Sequence, residues 1–135
     1  MTETLKLVKE VVNDLKLKVL GEDEEHIAVR YQLDNFYFAV NRESERFVSV
    51  ILTDFDEVTD ENRMQMTLAC NEANQKIQVA KFYIVKHLVL ASYEFFYLDK
   101  EDMAFHIKES LKVLKIAKVK FIKESNNIQT ATDYE

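Results

Sequence analysis

Hydrophobic positions along this chain change their period several times, and each change marks an element. Leu5, Val8, Val12, Leu15 and Val19 recur at helical spacing, widened by Val11. That spacing predicts a first helix capped by Thr2 or Thr4 and running to about Val19. Gly21 follows as its C-cap, and the acidic run Glu22 to Glu25 reads as a solvated loop. From His26 to Leu33 the period drops to two, with Ile27, Val29, Tyr31 and Leu33 on one side. Asp34-Asn35 then offers turn chemistry, since both residues tolerate positive φ. Phe36 to Val40 returns as a second strand, Asn41 to Glu45 is a polar turn, and Phe47 to Phe55 forms a third. Short turns between successive strands predict an antiparallel meander.

Helical spacing resumes after Thr59 or Asp60, either of which can cap a second helix ending near Lys76. This helix carries two stripes. Met66, Cys70, Ala73 and Ile77 suit docking on a sheet, while Met64, Leu68, Asn71 and Gln75 lie on roughly the opposite side. Ile77 to Tyr97 is rich in β-branched and aromatic residues and too long for one strand, so it reads as two strands meeting near Val85-Lys86-His87. A last helix starts at Asp99 to Asp102 and runs to about Lys123, burying Met103, Ile107, Leu111, Leu114, Ala117 and Phe121. The element order is α-β-β-β-α-β-β-α, an α+β fold with helices packed on an antiparallel sheet. Residues 1–124 read as one domain, and Ser125 to Glu135 as a polar, disordered tail.

Composition narrows the function classes. One glycine and no proline leave no phosphate-cradling loop to write, neither a Walker loop nor a dinucleotide fingerprint. The net charge of −6 argues against nucleic-acid affinity. No apolar run approaches the about 20 residues of a membrane span, so no membrane partner is expected. The lone Cys70 points to a reducing cytoplasm.

Candidate chemistry is thin. His106 and Glu109 share a helical face, but no second ligand pair accompanies them, and His26 and His87 stand apart. Cys70 lies on an apolar stripe and reads as a small buried hydrophobe. Asp54, Asp56, Glu57, Asp60 and Glu61 read as solvated charge at a helix start, and Lys108, Lys112, Lys115 and Lys123 as a solvated helix face. No catalytic residue, cofactor or metal site is expected.

Cys70-Asn71-Glu72-Ala73-Asn74, followed by Val79-Ala80-Lys81-Phe82-Tyr83-Ile84 and Leu88-Val89-Leu90, resembles the bacterial YbjN family across about Leu5 to Phe121. Asn71 and Asn74 match the family asparagines, and Lys81-Phe82 its basic-aromatic pair. Where the family turns on acidic residues and glycine, this chain has Val85-Lys86-His87. The resemblance implies a fold like that of type III secretion chaperones, which are homodimers that bind extended client segments. It also implies a regulatory or stress-related, non-enzymatic role with no established catalytic residues. On that reading Asn71 and Asn74 are structural, and Met64, Leu68, Asn71 and Gln75 form a dimer or partner interface. A protein or peptide client is the expected partner. A pocket between sheet and helices would instead favour a small-molecule-binding or enzymatic domain.

Overall fold

A computed structural model describes residues 1–133, with side chains described to residue 128. Residues 134 and 135 of the expected tail lie outside the described residues. Three helices cover one face of a six-stranded antiparallel sheet of order β1-β2-β3-β4-β6-β5. The elements run α1 (Glu3–Asp14), β1 (Lys18–Glu22), β2 (His26–Tyr31), β3 (Asp34–Val40), β4 (Phe47–Leu52), α2 (Arg63–Lys76), β5 (Lys81–Val85), β6 (Leu88–Phe96) and α3 (Lys100–Asp133). This is the expected α+β architecture with one strand added.

The added strand is β1. Thr2 caps α1 as expected, its hydroxyl accepting from the Leu5 amide at 3.1 Å. The helix does not reach Val19, however. Leu15 closes it, and Lys16 at φ 59° turns the chain out of the helix. Val19 then pairs with Val29, and Gly21 sits opposite Ala28 after a register shift, so Gly21 is a strand residue rather than a C-cap. The free edge of β2 offered backbone partners that the helix could not, and the Val19 spacing was coincidental.

The β2–β3 turn also moves. Its two central residues are Gln32 and Leu33, both at positive φ (48° and 74°), so Asp34 and Asn35 already belong to β3. A shift of two residues preserves the faces of the side chains that stay in the strands, but Leu33, expected on the inward side, now sits in the turn and is 83% exposed. Phe36, Phe38 and Val40 therefore still point inward, with Ile27, Val29, Val48, Val50 and Leu52. Asp34 is drawn into the fold because α3 answers it: Lys115 and Lys118 reach its carboxylate at 3.0 and 2.7 Å, and Lys115 also donates to the Gln32 carbonyl. The β5–β6 turn falls at Lys86-His87, where it was expected.

The predicted caps of α2 are corrected too. Thr59 and Asn62 bond each other reciprocally ahead of the helix, and Asn62 takes the N-cap position, so neither Thr59 nor Asp60 caps it. At the other end of the chain, α3 buries all six expected residues and continues past Lys123 to Asp133. Ser125 is buried and accepts from Gln65 through both its carbonyl and its hydroxyl, which gives α3 a reason to continue against α2. No helix among the described residues is long and apolar enough to cross a membrane.

Candidate functional site

Any site here must be built from surfaces, because side chains fill the space between sheet and helices. Leu5, Val8 and Val12 of α1 meet Phe36 and Phe38 there, and Met103, Ile107 and Leu114 of α3 complete the layer. A surface cleft of 390 Å³ lies at the start of α1, lined by Thr2, Thr4, Arg42, Arg46 and Tyr97 among others. Several of its polar groups are engaged with one another or with backbone. The Tyr97 and Thr4 hydroxyls are 2.8 Å apart, Arg46 donates to the Leu98 carbonyl at 2.6 Å, and Arg42 pairs with Glu25 at 3.2 Å.

The outward face of α2 is different. Four helical residues at i, i+4, i+7 and i+11 place Met64, Leu68, Asn71 and Gln75 in one exposed line, while Met66, Ala69, Cys70 and Ala73 are buried on the other side. Met64 is 72% and Leu68 44% exposed, one turn apart on a helix that borders the sheet at β5. Arg63 at the start of α2 donates to the carbonyl of Lys86 in the β5–β6 turn, whose exposed Val85 and Leu88 alternate with the inward Ile84 and Val89 and so lie on the sheet face away from the helices. The sequence signal for the outward face of α2 was its periodicity.

Asn74 fixes the β5 edge of the sheet. Its side-chain amide donates to the Phe82 carbonyl at 2.9 Å and accepts from the Phe82 amide at 2.8 Å, so it stands in for a neighbouring strand along β5. The partner is strand backbone eight residues on. The Phe82 ring stacks on Phe121 of α3 with centroids 5.1 Å apart, and Phe55 packs edge-on against both. Lys81 beside it pairs with Glu94 at 2.7 Å. Asn71 is exposed and joins none of these bonds, so the two asparagines do not form one unit.

The titratable candidates are dispersed. Burial pushes the Cys70 thiol up to about 11, leaving it protonated and inert as a nucleophile. Glu109 does not join His106 at a metal site: His106 Nδ1 lies 2.9 Å from the Tyr93 hydroxyl, and its ring stacks on Phe95. His26 lies beside Asp23 at 3.1 Å, and His87 is in the hairpin turn. Among the carboxylates before α2, Asp54 accepts the Asn35 amide at 2.7 Å. Among the described residues no group of three or more His, Cys, Asp or Glu side chains could hold a metal ion.

With that geometry in hand, comparison with known proteins adds the following. A family model described as "YbjN: Putative bacterial sensory transduction regulator" matches residues 4–108. A solved structure, titled "Crystal structure of YbjN, a putative transcription regulator from E. coli", superposes with a TM-score of 0.67 at 10% identity, covering 86% of this chain and 89% of that one. At that identity the likeness speaks for the fold alone. No curated protein matches the sequence significantly.

Proposed function

The chain belongs to the YbjN family, and from that premise we propose that it is a non-enzymatic regulatory module of the bacterial cytoplasm that works by binding protein, first of all a second copy of itself. The observation that carries this reading is the Met64–Leu68 pair, two large apolar side chains stacked one turn apart on the outward face of α2. A two-fold contact is self-complementary, so each Met64 and Leu68 would meet its symmetry copy or a close neighbour of it, with Asn71 and Gln75 at the rim. The filled interlayer core supports a binding surface over a ligand pocket.

Light scattering coupled to size exclusion tests the proposal. Wild type elutes as a dimer at high micromolar concentration. Met64→Glu with Leu68→Glu elutes as a folded monomer, because like charges would face each other in a desolvated patch. A monomeric wild type refutes the dimer, and a double variant that stays dimeric refutes this interface.

A further inference from the structure

The net charge of −6 conceals a segregation that the fold makes visible. Residues 105–123 of α3 hold six lysines and one glutamate, a net +5, so the remainder of the chain carries −11. Lys115 and Lys118 are spent on Asp34. Lys108, Lys112, Lys120 and Lys123 are exposed and make no ion pair among the described residues. At 3.6 residues per turn these four fall within about 120° of arc, on the side of α3 that faces away from the sheet.

Apolar side chains share that same arc. Phe105, Ile116 and Val119 are 57%, 49% and 69% exposed. Val79, in the α2–β5 turn, lines a shallow depression with Val113 and Ile116 and is itself exposed. It holds φ at 73°, a region that a β-branched residue rarely enters. An exposed apolar side chain kept there against local preference adds to the same face from a second element.

We propose that this face docks on an anionic phospholipid surface. Phe105 and Lys123 stand 18 residues apart on one side of α3, about 27 Å along its axis, and a convex helical face of that length suits a flat partner rather than a peptide laid in a groove. Phe105 is the one aromatic ring on this face, and the aliphatic Ile116, Val119 and Val79 suit the boundary between headgroups and acyl chains rather than a stack of bases. Lysine stems lie along apolar surface while their ammonium groups stay among lipid phosphates. The rest of the chain is strongly acidic and is repelled by the same bilayer, which favours an approach with this face foremost. Spanning length and net charge, on which the expectation of no membrane partner rests, do not register a face of this kind.

Co-sedimentation of the full chain with vesicles tests this. Vesicles of phosphatidylcholine and phosphatidylserine at 70:30 bind wild type at least tenfold more tightly than pure phosphatidylcholine, and added salt weakens the binding. Lys112→Glu, Lys120→Glu and Lys123→Glu together remove it, and glutamine at the same three positions gives a smaller loss. Phe105→Ser with Ile116→Ser and Val119→Ser weakens binding about tenfold and leaves its salt dependence. All six positions are exposed, and circular dichroism confirms that the variants stay folded. Three results overturn the proposal: equal binding to both vesicle types, a lysine variant that binds like wild type, or duplex DNA or polyglutamate bound as tightly as the anionic vesicles.

Discussion

Replacing Asn74 with alanine is the sharpest probe of how α2 is tied to the sheet edge. The substitution removes two hydrogen bonds at once, 2.9 and 2.8 Å, and leaves the Phe82 amide and carbonyl on an edge strand without their partner. Each such bond is worth about 1 kcal/mol net. Both are partly buried, so water recovers part of the loss, and the expected cost is about 1–2 kcal/mol. With a urea m-value of about 2 kcal/mol/M for a chain of this size, the midpoint should fall by roughly 0.5–1 M. Asn74→Asp should be at least as damaging, because a carboxylate accepts from the Phe82 amide but repels its carbonyl. Asn71→Ala is the internal control: an exposed asparagine outside this bond pair should change stability by less than about 0.5 kcal/mol. Amide hydrogen exchange at Phe82 supplies a local readout and should accelerate in Asn74→Ala. Superimposable melts of Asn74→Ala and wild type would refute the reasoning, as would equal losses at Asn71 and Asn74.

Three further outcomes follow from the geometry. Burial pushes the Asp34 carboxyl up, but the ammonium groups of Lys118 and Lys115 more than offset this and hold it below its ordinary value. A depressed carboxyl contributes stability above its unfolded value of about 3.9 and loses it as pH falls through the folded one, so Asp34→Asn should cost about 1–3 kcal/mol at pH 7 and the gap should close below about pH 4; a gap independent of pH sinks the ion-pair account. Gln32→Asn with Leu33→Gly places residues suited to positive φ in the β2–β3 turn and should raise stability by about 1 kcal/mol, measured by thermal melts, since the bond from Lys115 goes to backbone at Gln32 and survives. Native Cys70, buried and with its thiol pushed up to about 11, should resist iodoacetamide at pH 8 and react only as denaturant unfolds the chain; stoichiometric labelling of native protein within minutes contradicts its placement.

What the sequence determined by itself was whatever local periodicity encodes. The buried face of α3, the inward Ile27, Val29, Phe36, Phe38 and Val40 of β2 and β3, the end of α2 at Lys76 and the hairpin at Lys86-His87 all follow from side-chain spacing or turn position. So does the outward line from Met64 to Gln75, because a helix fixes the angle between residues wherever it lies. The tertiary structure decided what depends on a partner distant in sequence. Leu15 and Val19 fit a helical stripe, yet the free edge of β2 claimed the segment after Lys16 as β1. Asp34 looks like a turn residue until Lys115 and Lys118, more than 80 positions away, supply its counter-charge. Polarity from Ser125 onward suggested a tail, whereas Gln65 gives Ser125 hydrogen bonds that only the packed pair of helices can offer. The bond pair from Asn74 to Phe82 was not legible: a side-chain amide can satisfy any nearby backbone, and only the fold brings the edge of β5 within reach.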